Sequence, residues 1–254
     1  MAEIDTGSHF GMIAESVGFV GEDGATLRGY LARPLGEGPF PSVLLFHHRP
    51  GWDAWYRQTA RRFAEEGYLA FCPDLYARDG RGAPDDVAAK VNAEGGVADE
   101  RVVSDAAASL RFLAAMPQAS GRVAVFGTCS GGRHALLAAC RLSGIDAVVH
   151  CWGGRVVVPA DGATPQQPVA PVELLASLEA PVLGLFGLDD TSPSPDEVDM
   201  LEAELERLGK QYDFHRYEGA GHGFFYDDRP ANFRAEQTRD GWRKVFAFLD
   251  ETIG

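Results

Sequence analysis

Residues 123–134 read Val-Ala-Val-Phe-Gly-Thr-Cys-Ser-Gly-Gly-Arg-His, and this stretch decides the fold. Its first four residues form an apolar run typical of a buried strand, and a helical pattern covers residues 133–141. The turn between them has the form Gly-x-Cys-x-Gly, in which side chains at the two glycine positions would collide with neighbouring backbone. A strand, a tight turn and a helix in this order predict a nucleophile elbow, with Cys129 in the place of the usual serine.

The predicted position of Cys129 favours a reactive thiol. It lies at the start of a helix, where unpaired backbone N–H groups stabilise an anion. Such a position lowers the pKa of a thiol and increases the fraction present as thiolate, the nucleophilic form. The other cysteines, Cys72, Cys140 and Cys151, lie within predicted strands or a helix, and we expect them to be small buried residues without a chemical role.

The composition is that of a globular protein with one sizeable core. The 254 residues are 45% hydrophobic and 24% charged, and the four cysteines contain no CxxC pair that would indicate a disulfide scaffold. The net charge of −14 argues against nucleic acid and anionic membranes as partners, because both need a basic face. No signal peptide or membrane span is apparent, which predicts a cytoplasmic protein.

Short apolar runs alternate with helical patterns along the chain. Alternating segments at 15–19 and 27–32 predict an N-terminal hairpin, which follows an expected flexible tail over residues 1–12. Further strands are predicted at 42–47, 68–72, 123–126, 147–152, 181–186 and 213–217, and helices at 55–66, 99–116, 133–141, 172–178, 195–208 and 231–249. Residues 79–96 and 153–171 are polar or rich in glycine and proline, and we expect loops there.

This alternation predicts one α/β domain over residues 1–254. Strands that alternate with helices favour a mainly parallel sheet with helices on both faces. Together with the N-terminal hairpin and the elbow, the pattern suits an α/β-hydrolase fold. In such a fold the reactive groups lie at the carboxyl ends of the strands.

Three candidate catalytic residues each follow a predicted strand. In this fold the nucleophile, acid and base follow one another along the chain, and Cys129 is followed by an aspartate in the turn at 187–190 and then by His222. The Cys129 thiolate would attack a carbonyl carbon, and His222 would take the thiol proton and later return a proton to the leaving group. Asp190 is preferred to Asp189 as the acid that orients His222, because the Gly-x-x-Asp spacing places it after the turn.

The oxyanion hole is expected to combine two backbone N–H groups. One belongs to Ser130, the residue after the nucleophile, and the other to the loop at Arg49. Pro50 cannot donate, which leaves Arg49 or His48 as the second donor. We expect no metal site at the adjacent pair His47 and His48, because neighbouring strand residues point to opposite faces and no third ligand has suitable spacing.

With these residues in place, the chain resembles the dienelactone hydrolase family over nearly its whole length. The matching motifs are Gly-Thr-Cys-Ser-Gly-Gly at 127–132, Cys-Pro-Asp-Leu-Tyr-Ala-Arg at 72–78, the turn at 187–190 and Gly-Ala-Gly-His-Gly-Phe at 219–224. The resemblance implies a Cys129–Asp190–His222 triad that uses no cofactor and hydrolyses strained or activated esters such as enol-lactones. It also implies that Arg78 contacts a carboxylate of the substrate.

Two positions depart from the family's pattern. Type members carry a glutamate that helps to activate the cysteine where this chain has His48, so we expect the resting thiol to be governed differently and His48 to contact the substrate. They carry a second substrate-binding arginine four residues after the histidine, where this chain has Tyr226. The loss of one cationic contact favours a more apolar ester or lactone in an aromatic pocket. The aromatic residues expected to line that pocket, unless several belong to the core, are Trp52, Trp152, Phe224, Phe225 and Tyr226.

The sequence therefore predicts a carboxylic-ester or lactone hydrolase that forms an acyl-thioester on Cys129. We expect a monomer or small homo-oligomer with a small-molecule substrate, no cofactor and no metal. One alternative is another acyl substrate, a thioester or an amide. A second is a non-catalytic homologue whose thiol serves as a sensor or binding group, although a sensor has no need of His222 and its acid.

Overall fold

The computed structural model describes residues 11–80, 82–159 and 161–254. Within them the strands are β1 (Met12–Val20), β2 (Thr26–Pro34), β3 (Phe40–Phe46), β4 (Leu69–Pro73), β5 (Ala119–Thr128), β6 (Ala147–Cys151), β7 (Val182–Gly187) and β8 (Tyr212–Tyr217). The α-helices are α1 (Ala54–Glu65), α2 (Pro84–Ala93), α3 (Asp99–Ala114), α4 (Ser130–Arg141), α5 (Pro195–Arg207) and α6 (Ala235–Ile253), and a 3₁₀ helix covers Pro171–Ser177.

All eight strands form one sheet in the order β1-β2-β4-β3-β5-β6-β7-β8. The hairpin of β1 and β2 is antiparallel, and β2 also pairs antiparallel with β4. The six strands from β4 to β8 in this order are parallel to one another. The predicted fold class, a mainly parallel sheet that begins with an antiparallel hairpin, is confirmed.

The strand order reverses between β3 and β5, which pair directly although β4 lies between them in the chain. Chain connections leave these two strands in opposite directions, which opens a crevice beyond their carboxyl ends. The pairing of Phe46 with Gly127 brings the loop after β3 beside the loop after β5. Two predicted site segments, at His48 and at Cys129, therefore meet in the crevice.

Apolar side chains fill both faces of the sheet. On β3, Leu44 and Phe46 belong to one buried cluster, and Val43 and Leu45 belong to a second cluster on the opposite face. Helices α3, α4 and α5 cover the first face, and α1 and α6 cover the second. Strands buried on both faces read as continuous apolar runs, which is why the central strands could be located from sequence.

Two sequence predictions differ from the structure. The segment 79–96 is not entirely loop, since it contains α2, which begins with Pro84 in its first turn and has Asp85 and Asp86 near its N-terminus. The features of the sequence that indicate this helix are the proline and the two aspartates at its N-terminus. The tail predicted for residues 1–12 lies outside the described residues except for Gly11 and Met12, and Met12 already belongs to β1. No helix in the described part of the chain is long and apolar enough to cross a membrane.

A buried ion pair ties α4 to α3 beside the crevice. Arg133 on α4 is 2% exposed, and its guanidinium donates to both carboxylate oxygens of Asp99 at 2.5 and 2.9 Å. The same guanidinium donates to the carbonyl of Arg155 in the loop after β6 at 3.2 Å. The pair therefore holds two elements and a loop together at the edge of the crevice.

We expect Asp99→Asn to lower the free energy of unfolding by about 3–5 kcal/mol, because it leaves the Arg133 charge buried without a counter-charge. The matched control is Glu100→Gln, whose carboxylate is exposed and pairs with Arg141 at 3.0 Å. That change should cost roughly 0.5 kcal/mol or less. Urea unfolding followed by circular dichroism measures both, and equal costs would contradict a role for the buried pair.

Candidate active site

Cys129 occupies the turn between β5 and α4 in a strained backbone conformation, with φ 56° and ψ −128°. Positive φ is unfavourable for a residue with a side chain and persists only where the surroundings impose it. Here a Cβ on Gly127 would strike the backbone of Gly131, and a Cβ on Gly131 would strike the carbonyl of Phe46 in β3. Because the two glycines have no side chains, the backbone segments can approach closely. This approach holds Cys129 in its strained conformation at the N-terminus of α4.

His222 and Asp190 lie together beside the elbow. Nδ1–H of His222 donates to Oδ2 of Asp190 at 2.9 Å, and Oδ1 of the same carboxylate accepts the N–H of Ser192 at 2.9 Å. Asp190 is 5% exposed, whereas Asp189 is exposed to solvent. The structure therefore brings Asp190, and not its neighbour, to His222. This bond leaves Nε2 of His222 for the sulfur of Cys129.

The charges of Cys129 and His222 stabilise each other. Burial alone would raise the pKa of the Cys129 thiol, but the hydrogen bond and charge of His222, together with two backbone N–H groups, outweigh burial and lower it. Burial would lower the pKa of His222, but its bonds to Asp190 and Cys129 raise it to about 10. Both directions favour the same state at neutral pH, a thiolate paired with an imidazolium.

Two backbone N–H groups also act on the sulfur. Those of Ser130 and Arg49 both favour the thiolate and help to lower its pKa. The Arg49 peptide is held from two sides, because the hydroxyl of Tyr76 donates to its carbonyl at 2.9 Å and the N–H of Gly51 donates to the carbonyl of His48 at 2.9 Å. The two N–H groups predicted as oxyanion donors therefore both interact with Sγ, and of His48 and Arg49 it is Arg49 that does so.

His47 and His48 serve separate partners. His47 is a buried structural histidine whose Nδ1–H donates to the carbonyl of His48 at 2.9 Å and whose Nε2 accepts the N–H of Leu75 at 3.1 Å. Nε2–H of His48 donates to Asp53 at 2.6 Å, and burial lowers the pKa of this imidazole, so it is neutral. Among residues 11–80, 82–159 and 161–254, no three His, Cys, Asp or Glu side chains are grouped to hold a metal ion.

A cavity of about 700 Å³ opens above Cys129. Of the residues predicted to bind substrate, His48 and Tyr226 line it, as do both oxyanion residues, Ser130 and Arg49. Arg78 lies outside the lining, where its guanidinium is bound by Asp105 at 2.6 Å and by Asp23 at 3.1 Å. The remaining predicted residues, Trp52, Trp152 and Phe224, are also outside the lining.

The aromatic residues around the site form a packed cluster rather than a pocket wall. Trp152 and Phe224 are fully buried with ring centroids 4.7 Å apart, and Phe225 lies 5.0 Å from Trp152. Trp52 packs on the outer side of the sheet against Tyr30, at 6.2 Å. The sequence analysis allowed that several of these aromatic residues belong to the core, and the structure places them there. Among them, Tyr226 is the one that reaches the cavity.

Besides Arg133, which Asp99 binds, two arginines in loops of the cavity wall were missed from the sequence. Arg155, in the loop after β6, donates to the side chain of Gln167 at 2.7 Å and to the carbonyl of Gly162 at 2.8 Å. Arg229 lies with its guanidinium 4.6 Å from the ring of Tyr226. Neither belongs to a motif, and their one signal is positive charge in loops next to motif segments of an acidic chain.

Residues 27–253 match the dienelactone hydrolase family. The chain belongs to this family. A protein of Methylorubrum extorquens, named for carboxymethylenebutenolidase activity, is 35% identical over 92% of this chain and 80% of its own length. A Bradyrhizobium protein named for 2-oxo-3-(5-oxofuran-2-ylidene)propanoate lactonase activity is 28% identical over 91% of each chain.

The fold comparison gives the same result. A crystal structure of a Klebsiella pneumoniae protein, described as a dienelactone hydrolase, superposes with a TM-score of 0.85 and 29% identity, over 94% of this chain and 99% of that one. The family predicted from the motifs is confirmed, and with it the α/β-hydrolase fold and the enzyme class, a hydrolase of the dienelactone hydrolase type. The membership covers the segments that carry Cys129, Asp190 and His222.

We expect His222→Ala to raise the pKa of the Cys129 thiol by roughly one pH unit or more, since the imidazolium that favours the thiolate is removed. The rate of alkylation by iodoacetamide, measured against pH, reports this pKa. His215→Ala is the matched control, because His215 pairs with Asp213 on the surface at 2.9 Å and should leave the profile unchanged. Superimposable profiles for wild type and His222→Ala would contradict the ion pair.

Proposed function

We propose that this chain hydrolyses carboxylic esters or lactones through an acyl-thioester on Cys129, with His222 and Asp190 completing the triad. The observation that carries the proposal is the strained elbow that places Cys129 beside two backbone donors and beside His222, which Asp190 holds at 2.9 Å. A sensing thiol needs only the lowered pKa. The oriented histidine and the two N–H groups have a use only if a carbonyl group is attacked.

Acylation forms a carbon–sulfur bond. The Cys129 thiolate adds to the carbonyl carbon, and the N–H groups of Ser130 and Arg49 stabilise the oxygen that becomes negative. The intermediate then expels the alkoxide or enolate, which takes a proton from Nε2 of His222. Deacylation reverses these roles, because neutral His222 takes a proton from water as that water attacks the thioester. The products are a carboxylic acid, an alcohol or enol, and the regenerated ion pair.

The resting thiolate selects substrates with a good leaving group. A thiolate of lowered pKa is also easily expelled, so the tetrahedral intermediate returns to substrate unless the other group leaves as readily. Enolates and phenolates meet this condition, whereas simple alkoxides and amide nitrogens do not. This favours activated esters and enol-lactones over the amide alternative.

The charge of the cavity favours a substrate that also carries an acidic group. Arg49 and Arg155 line the cavity, and neither has a carboxylate partner among the described residues. Asp190 is the one acid in the described lining, and it is bound to His222. In a chain with a net charge of −14, such a positive cavity attracts a small anion. Arg49 and Arg155 therefore provide positive charge in the cavity. Arg78 does not, because it lies outside the lining, and Tyr226 does not, because it stands where the family has an arginine.

We expect Cys129→Ala to abolish turnover of p-nitrophenyl acetate and the burst of p-nitrophenolate that accompanies acyl-enzyme formation. Stopped-flow absorbance measures both, and a burst near one equivalent of wild-type enzyme would report the thioester. Cys140→Ala is the matched control, because Cys140 is a buried thiol on the same helix and outside the lining. Equal turnover by wild type and Cys129→Ala would overturn the proposal.

We expect Arg155→Gln to lower kcat/KM for mono-p-nitrophenyl succinate about three- to tenfold while changing p-nitrophenyl butyrate less than twofold, since only the succinate ester carries a charge. Raising the ionic strength should reduce the wild-type preference for the charged ester. Arg141→Gln, an exposed arginine that pairs with Glu100, is the control. A wild-type enzyme without preference for the charged ester would argue against an anionic substrate.

A further inference from the structure

Three buried hydroxyl groups form a chain directly behind the nucleophile. Oγ1 of Thr128, the residue before Cys129, lies 2.8 Å from the hydroxyl of Tyr56 and 2.8 Å from the hydroxyl of Tyr226. The backbone N–H of Thr128 donates to the Tyr56 hydroxyl at 3.0 Å. Tyr56, at one end of this row of hydroxyls, belongs to α1 and lies outside the cavity lining, whereas Tyr226, at the other end, lines the cavity.

One of the three hydroxyl protons has no acceptor among the three hydroxyl groups. Three hydroxyls carry three protons, and the two oxygen–oxygen contacts use two of them. The third proton must point away from the chain, from Tyr56, Thr128 or Tyr226. Tyr56 and Thr128 are 0% exposed and make no other hydrogen bond that could take it. A buried donor without an acceptor is unfavourable, so the outward proton belongs to Tyr226.

This assignment fixes the direction of every bond. The Tyr56 hydroxyl accepts the N–H of Thr128 and donates to Oγ1, and the Thr128 hydroxyl donates to Tyr226. The indole N–H of Trp152 also interacts with the Tyr226 oxygen, although it is too poorly aligned to count as a hydrogen bond. The Tyr226 oxygen therefore accepts from the Thr128 hydroxyl, and its own proton is left for a partner in the cavity that Tyr226 lines. Burial raises the pKa of this phenol, so the donor keeps its proton.

The Tyr226 phenol lies between the two segments that provide the backbone donors. Its ring is 4.9 Å from that of His48, the residue before Arg49, and its hydroxyl bonds to Thr128, the residue before Cys129. Cys129 is the charged group that acts on the phenol most strongly, yet no hydrogen bond joins the two side chains in the described structure. Tyr226 and Cys129 line the same cavity, so a carbonyl group bound at Cys129 would lie in the space that this residue borders.

We propose that the Tyr226 hydroxyl is a third oxyanion donor, which hydrogen-bonds the substrate carbonyl oxygen as Cys129 attacks it. The inference rests on the proposed function and adds a catalytic residue to it. A neutral donor strengthens its bond as the oxygen becomes negative, so it acts on the transition state more than on the bound substrate. It would replace a cationic contact to the substrate with a donor to the reacting oxygen.

The test compares two tyrosine-to-phenylalanine changes within one chain of hydroxyls. Tyr226→Phe removes the outward donor, and Tyr56→Phe removes the far hydroxyl and leaves the outward donor in place. We expect Tyr226→Phe to lower the acylation rate of p-nitrophenyl acetate roughly 100-fold, with KM changed less than about threefold. Tyr56→Phe should keep the rate within about threefold of wild type. The iodoacetamide profile of Cys129 should stay unchanged in Tyr226→Phe, because the phenol does not bond to the sulfur.

A second pair of variants separates a catalytic from a structural effect. Thr128→Ser keeps the middle hydroxyl and should retain the wild-type rate, whereas Thr128→Val removes the bond that polarises Tyr226 and should give an intermediate rate. Equal rates for Tyr226→Phe and wild type would overturn the inference, as would equal losses in Tyr226→Phe and Tyr56→Phe. If wild-type protein gave no burst that depended on Cys129, the proposed function would fail first and the inference with it.

Discussion

The close approach of the first turn of α4 to the end of β3 is the constraint on which the site depends. It is possible only because Gly127 and Gly131 carry no side chain where the backbone of Gly131 and the carbonyl of Phe46 pass. The approach forces Cys129 to φ 56° and turns its side chain out of the sheet. It also brings the loop after β3 to the sulfur, so one steric constraint positions Cys129, the proposed nucleophile, and the two backbone N–H groups beside it.

The electrostatics of the site oppose those of the rest of the molecule. The chain has a net charge of −14, but the cavity contains an imidazolium and arginine side chains, and the carboxylate in its lining is already bound. Asp190 stabilises the cation on His222, and His222 in turn lowers the pKa of Cys129. Negative charge over the whole chain and positive charge in the cavity therefore coexist, and this contrast supports the proposal of an anionic substrate.

At both positions that depart from the family pattern, the side chain forms a hydrogen bond with another residue of this chain. His48 bonds to Asp53, the residue that caps α1, and is neutral rather than a free base beside the sulfur. Tyr226 joins the hydroxyl chain of Thr128. Neither change disturbs the elbow or the His222–Asp190 bond.

The features that could be predicted from the sequence are those that depend on short stretches of neighbouring residues. The elbow, the strand–helix alternation and the order Cys129, Asp190, His222 could be predicted because strand periodicity and turn chemistry act over a few residues. Which charged side chains line the cavity could be learned only from the tertiary structure. Arg78 is bound by Asp105 and Asp23, whereas Arg155 and Arg229 line the site. Contacts between segments far apart in the chain set those positions, and no local pattern records such contacts.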